Sequence, residues 1–340
     1  MSTLCRRGDF FMEEEVISIR HISKKFKISK REAGLKNAIK SFFKREYKII
    51  NSLEDINFSI KKGEIVGYIG PNGAGKSTTI KIMCGILVPT SGECFVNGFV
   101  PWKDRKKYVK NIGVVFGQRS GLWWDVPPID SFELLKDIYE IPQEEYEKKL
   151  SELKEYLNLE DILNIPTRQL SLGQRMRCEI ASALLHNPKI LFLDEPTIGL
   201  DAVSKLSLRK CIKQINEKTN VTIILTTHDM QDIEALTERI ILIGKGKILY
   251  DGSLDEIKNK YNKNRKMNIK FKYTEQKIDL PNAKILDQTE ESASIILKRN
   301  DESIPDILNK LTSQVEVVDM NIEEMSTDDI IAKLYNELKI

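Results

Sequence analysis

The sequence predicts an α/β fold on a mixed β-sheet core, with a helical subdomain inside it and a small α+β domain at the C-terminal end. Three observations carry this. Short continuous apolar runs at 65–69, 190–193 and 221–225 each end at residues fit for phosphate or proton chemistry, and such runs suit strands covered on both faces. A helical pattern over 78–87 follows the first run directly. Beyond residue 266 the apolar residues switch to alternation, the mark of half-buried strands. A chain of 340 residues has room for one large domain and one small one.

Composition narrows the class. Hydrophobic residues make up 41% and charged residues 30%, ordinary for a soluble globular protein. The 53 basic side chains nearly balance 50 acidic ones, a net charge of +3 that does not point to nucleic acid as a specific partner. No apolar run approaches the ~18–20 residues that span a bilayer, and MSTLCRRGDFF has arginines without the apolar core of a signal peptide. Cys5, Cys84, Cys94, Cys178 and Cys211 are odd in number and lack metal spacing, which suggests reduced thiols in a cytosolic protein.

The elements follow in chain order. Residues 1–12 are expected to be a non-native extension or a short disordered tail, because Met12-Glu-Glu-Glu leads straight into the strand pattern Val16-Ile-Ser-Ile19. The main domain then covers 13–256. Within it, 27–48 is strongly basic, and Leu35, Ile39, Phe42 and Phe43 fall at helical spacing. This predicts a basic amphipathic helix against an anionic membrane surface or a partner protein, or else one docked on its own domain.

The strand at 65–69 runs into Gly70-Pro71-Asn72-Gly73-Ala74-Gly75-Lys76-Ser77-Thr78, a G-x-x-x-x-G-K-S match in its required strand–helix context. Glycines let the backbone wrap a triphosphate, and the helix N-terminus adds partial positive charge. Lys76 reaches the β- and γ-phosphates, and Ser77 offers its hydroxyl to Mg²⁺. The expectation is a P-loop NTPase that uses ATP and Mg²⁺.

After the apolar run 112–116 comes Gln118, then the neighbouring Trp123 and Trp124. Adjacent side chains diverge, so both tryptophans cannot enter one small core. A helical subdomain is expected over about 119–185. Near its end, Ser171-Leu172-Gly173-Gln174 precedes the helical pattern Cys178–Leu185, a second anion site at a helix N-terminus. One nucleotide does not need two such sites from one chain. Two copies head to tail place each Ser171 against the other's triphosphate, and a twofold dimer closes that arrangement. The run Ile-Leu-Phe-Leu ends at Asp194 and Glu195, placed to hold Mg²⁺ and to orient or deprotonate the attacking water. The run Val221–Thr227 ends at His228, placed to touch the γ-phosphate or that water.

In this order, the phosphate loop, Gln118, LSLGQ at 170–174, LFLDEP at 191–196, GLD at 199–201 and His228 resemble the ATP-binding-cassette (ABC) ATPases over roughly 14–255. The resemblance implies that Gln118 contacts Mg²⁺ and senses a permease. It implies that Ser171, Leu172, Gly173 and Gln174 contact the partner chain's ATP, that Asp201 lies at the dimer seam, and that His228 acts as the switch residue. Leu172 departs from the family, which usually has glycine there. The resemblance also implies an aromatic stacked on adenine, either Phe26 or Tyr47. Trp123 and Trp124 would line the groove that receives a separate integral-membrane permease, and the transported substrate would not touch this chain. GQRSGLWWD is similar to one exporter branch for drugs or toxic compounds. The implied place is the cytoplasmic face of the cell membrane. Polysaccharide or lipid export, and a soluble role on ribosomes or DNA, stay as alternatives.

Past an expected Lys/Asn-rich linker at 257–266, residues 267–340 should form the small domain. Strands are expected at 267–273, 292–298 and 315–320, and helices at 303–311 and from 326 to near 338. No catalytic constellation falls there, and an accessory or regulatory role is expected.

Overall fold

The computed structural model describes residues 15–29, 47–117, 120–261, 264–274, 277–280, 283–298 and 304–337. The expected N-terminal extension and the central part of the basic segment, with Leu35, Ile39, Phe42 and Phe43, lie outside them. So do Gln118 and Arg119. The chain divides into two compact units between Asp251 and Gly252.

The first unit holds two sheets. β1 (Glu15–Ser29), β2 (Tyr47–Lys61) and β4 (Ser91–Val96) form an antiparallel sheet in the order β2-β1-β4. β1 and β2 make a long ribbon in which Phe26 pairs with Ile50 and Ser29 with Tyr47. The ends of the expected insertion, 27–29 and 47–48, therefore continue these strands. Period-two placement of Ile17 and Ile19 in β1, and of Ile56, Phe58 and Ile60 in β2, against the core holds the ribbon's base.

The second sheet carries the chemistry. Its order is β5-β6-β7-β3-β8-β9, from β3 (Ile65–Ile69), β5 (Ile112–Phe116), β6 (Ile190–Asp194), β7 (Thr222–Thr226), β8 (Arg239–Gly244) and β9 (Lys247–Ser253). β5, β6, β7, β3 and β8 run parallel. Their inner residues, Ile190 to Leu193 and Ile223 to Leu225 among them, are almost fully buried, as strands covered on both faces must be. Parallel pairing puts the C-terminal ends of β3, β5, β6 and β7 on one edge, where a ligand crevice forms in such sheets.

Helices α1 (Lys76–Met83) and α2 (Arg105–Tyr108) lie between β3 and β5. The expected helical subdomain contains α3 (Pro128–Tyr139), α4 (Gln143–Leu157) and α5 (Leu172–Leu184). α6 (Ala202–Thr219) and α7 (Met230–Leu236) flank β7. Cys84, Cys94, Cys178 and Cys211 are free and buried. Burial pushes the Cys94 and Cys178 thiols up to about 12, so they are packed neutral groups.

The second unit has a four-stranded sheet in the order β11-β12-β10-β13, from β10 (Asn264–Phe271), β11 (Ala283–Gln288), β12 (Ser292–Lys298) and β13 (Val317–Glu323). Three helices join it: α8 (Leu254–Tyr261), α9 (Ile304–Thr312) and α10 (Thr327–Glu337). Met267, Ile269, Ile295, Leu297, Ile307 and Leu311 form its core. Two expectations change here. The stretch expected as a linker is helix through Tyr261 and strand from Asn264, because Leu254 and Ile257 form a buried helical face among the lysines. The edge strand β11 has no counterpart among the expected elements, since its exposed Leu286 and its lysine and aspartate mask the alternation. No helix of the described residues is long and apolar enough to cross a membrane.

Candidate functional site

The phosphate loop joins β3 to α1 in a shape that glycine dictates. Gly75 has φ 114°, and a Cβ there would sit 2.7 Å from Leu53 Cδ2 and 2.8 Å from the Ser52 carbonyl. Both the left-handed backbone and the close approach of β2 exclude a side chain. Gly70 is equally confined, as a Cβ would meet the Ile243 carbonyl at 2.4 Å. The resulting cradle has Lys76 at its centre, with Nζ donating to the carbonyls of Gly70 and Pro71. Burial pulls its ammonium below the ordinary lysine range, and the carboxylates of Glu195 and Asp194 oppose that. Ser77 is exposed in the first turn of α1.

β6 delivers the two carboxylates and β7 the histidine. Asp194 Oδ1 accepts from Thr226 Oγ1 of β7. Glu195 sits in the left-handed region at φ 57°, a strained setting for a side chain, and its N–H donates to the Thr226 carbonyl at 2.9 Å. This turn aims Glu195 at His228, whose Nε2 lies 2.7 Å from Oε1. The structure thus brings Lys76, Asp194, Glu195 and His228 to one sheet edge. A cation, two carboxylates and an imidazole beside a glycine cradle suit a triphosphate with Mg²⁺ and a positioned water.

Gln118 lies outside the described residues, but its neighbour Gly117 is bound to the site. The Gly117 N–H donates to the Asp194 carbonyl at 2.8 Å, and a Cβ there would lie 2.1 Å from the Glu195 carbonyl. Gly117 itself therefore lies directly against the backbone of the two carboxylates.

The register ranks the two candidate aromatics. Ser52 Oγ is 2.8 Å from Thr78 Oγ1, so β2 passes the start of α1 at Ser52. Ile50, the partner of Phe26, is about 7 Å from there along the strand, whereas Tyr47 is about 17 Å away. Lys24 Nζ lies 5.2 Å from the Phe26 ring centre and donates to the Val88 carbonyl.

Ser171 caps α5. Its Oγ accepts from Gln174 N at 3.2 Å, and its N–H donates to Gln174 Oε1 at 2.9 Å, a complete capping box. Leu172 packs against Gly199, and a Cβ on Gly173 would meet Ser204 at 2.8 Å. Asp201 caps α6, accepting from Ser204 N at 2.9 Å and Ser204 Oγ at 2.8 Å, and these hydrogen bonds hold its carboxyl below the usual range. The start of α5 and the Asp201 turn therefore form one surface. Their contacts run to each other rather than to the Lys76 cluster.

Trp123 and Trp124 are 56% and 51% exposed, so neither belongs to the core. Arg175 lies over the Trp124 ring at 5.5 Å.

Three positions escaped sequence reasoning. Asp232 of α7 is fully buried and accepts from Thr197, Thr227 and Arg209 Nε, the last at 2.6 Å. Thr197 follows Glu195 and Thr227 precedes His228, so Asp232 straps the Glu195 and His228 turns together. Arg209 Nη2 is also 3.4 Å from Asp229 Oδ2, an ion-pair distance outside hydrogen-bonding geometry. Glu179, buried in α5, accepts from Ser120 Oγ and from Gly121 N at 3.0–3.1 Å. The available signal was a charge set among buried helical positions, as with Arg209 between Leu208 and Ile212.

Known proteins place this arrangement. The family described as ABC transporter matches residues 53–198, and the one described as ATP-binding protein DrrA1-3-like, C-terminal domain, matches 252–334. The ABC transporter ATP-binding protein NatA of Bacillus subtilis is 32% identical over 215 residues, covering 63% of this chain and 87% of NatA. The linearmycin resistance ATP-binding protein LnrL of the same organism is 35% identical, covering 63% of this chain and 68% of LnrL. The probable multidrug ABC transporter ATP-binding protein YbhF of Escherichia coli is 37% identical, covering 60% of this chain but 35% of YbhF. Among solved structures, the dimeric post-hydrolysis ATP-binding cassette MJ0796 with ADP and Pi aligns at TM-score 0.57 and 30% identity, over 70% of this chain and 98% of that one.

Proposed function

The chain belongs to the ABC transporter ATP-binding proteins, and from that premise we propose that it drives export of a drug, toxic compound or other amphiphile through a separate membrane permease. The observation that carries the ATPase part is the convergence of Lys76, Asp194, Glu195 and His228, with His228 Nε2 2.7 Å from Glu195. The resistance and multidrug roles named for LnrL and YbhF support the drug-export part.

The residues divide the work as follows. The backbone of 70–78 binds the triphosphate, and Lys76 neutralises the β- and γ-oxygens. Ser77 and Asp194, with Gln118, would hold Mg²⁺, which neutralises charge on the transferring phosphoryl. Glu195 accepts the proton of the attacking water, and His228 fixes the carboxylate that does so. In the dimer, Ser171, Leu172, Gly173 and Gln174 approach the other chain's ATP with the N-terminus of α5, and Asp201 sits at the seam. Trp123 and Trp124 present an aromatic surface to the permease, which holds the chain at the cytoplasmic face of the membrane. The small domain at 267–340 acts in regulation or dimer contact.

Phe26 stacks on adenine. Phe26→Ala is expected to weaken ATP binding by about 1–3 kcal/mol, while Tyr47→Ala leaves it unchanged; titration calorimetry with ATP checks both. Trp124→Ala is expected to keep ATP affinity but lose about tenfold in permease affinity, the size of an interface hot spot. A pull-down at graded permease concentration reads this, and a loss of ATP affinity instead would mean that Trp124 packs for its own domain.

The test of the function is co-purification. Tagged Glu195→Gln chain, solubilised from its native membranes with ATP and Mg²⁺, should retain a polytopic membrane protein. Retention of ribosomes or DNA in place of one would overturn the reading.

A further inference from the structure

The Trp123–Trp124 segment and the Ser171 end of α5 are joined by side chains that nucleotide binding does not use. Arg175 and Glu179 are one turn apart on α5, hence on one face of the helix. Arg175 lies over the Trp124 ring at 5.5 Å. The Glu179 carboxylate takes both its oxygens to the Gly121 N–H, at 3.1 and 3.0 Å, and accepts from Ser120 Oγ as well. Ser120 closes the loop by accepting from Leu122 N at 3.2 Å, and Leu122 is buried behind the tryptophans. The opposite side of α5 is held separately, through Arg177 Nη1 to the carbonyls of Leu157 and Asn158.

We propose that Arg175 and Glu179 form a clamp that ties the tryptophan segment to α5, so that movement of one displaces Ser171 at the helix N-terminus. The proposal rests on the reading of Ser171 as a contact to the partner chain's ATP. Charge-assisted hydrogen bonds from a buried carboxylate to a loop backbone are strong and directional, so they fix the loop's position against α5. Glu179 is just over two turns from Ser171, inside a hydrogen-bonded helix that moves as one piece. Glu179 and Arg175 are positioning residues, as neither touches nucleotide. By reciprocity, ATP engagement at Ser171 must also alter the surroundings of Trp124.

That reciprocity supplies the test, which needs no permease. The full chain carrying Glu195→Gln and Trp102→Phe retains Trp123 and Trp124 as its tryptophans. MgATP should drive it into a dimer on size exclusion and shift its tryptophan emission. Adding Glu179→Gln should leave the dimer in place and remove most of the emission shift, because the carboxylate that ties Ser120 and Gly121 to α5 is lost. Ser120→Ala should act in the same direction, and the double variant should be no worse than Glu179→Gln alone. A full emission shift in the Glu179→Gln dimer would overturn the clamp. Failure of the parent itself to dimerise with MgATP would instead overturn the Ser171 reading, and the clamp with it.

Discussion

Glu195→Gln is expected to lower ATP turnover by about a thousandfold, the scale of removing a general base, while ATP binding and ATP-driven dimerisation persist. The geometry explains the split. Glutamine keeps the size of the side chain and an oxygen that accepts from His228 Nε2, now 2.7 Å from Glu195 Oε1. The Glu195 backbone, at φ 57° and held by its N–H to the Thr226 carbonyl, stays as it is. The lost element is the negative charge that accepts the water's proton. Lys76 and the loop at 70–78 are untouched, so affinity should change little. Steady-state phosphate release and size exclusion with MgATP measure the two halves independently. A variant that hydrolyses ATP at the parent rate would remove Glu195 from the reaction and leave His228 as the group to examine.

Much of this site was legible because it is written in local sequence. A phosphate loop needs its glycines, lysine and flanking strand and helix in one stretch, and 63–87 contains all of them. The continuous apolar runs of β6 and β7 announce buried parallel strands, so Asp194 at the end of β6 and His228 just past β7 must share an edge with the loop. Other features depend on pairings that sequence does not announce. The β1–β2 ribbon runs past Phe26 to Ser29 and Tyr47 because the two strands satisfy each other's backbone groups, although the segment reads as a basic helix. The α8 helix forms because Leu254 and Ile257 bury a face that the surrounding Lys and Asn conceal. Glu179 meets Ser120 across 59 positions, and Asp232 meets Thr197 across 35. A charged residue in a helix looks alike in sequence whether it faces solvent or straps two loops, until the tertiary contacts decide.

Asp232→Ala should be strongly destabilising to the cassette unit, by about 3–5 kcal/mol, the cost of removing one partner of a buried ion pair. Asp232 is fully buried, Arg209 is 7% exposed, and their Nε–Oδ1 distance is 2.6 Å. Removing the carboxylate takes the short ion pair from Arg209, leaving it the longer contacts to Asp229 and Gln231, and also takes the acceptor from Thr197 and Thr227. For a unit of this size the midpoint of thermal unfolding should fall by about 10 °C. Stability alone would not separate a strut from a positioning device, and the double variant Asp232→Leu with Arg209→Met does. Replacing both charges by apolar groups of similar volume commonly restores stability. The hydroxyls of Thr197 and Thr227 would still lack the oxygen that joins the Glu195 and His228 turns. The double variant is therefore expected to regain most of its melting temperature yet keep a depressed kcat, with KM for ATP close to that of the parent. Recovery of kcat along with stability would mean that Asp232 only holds the fold. A stable, slow enzyme with normal ATP affinity would place the strap in the alignment of Glu195 with His228.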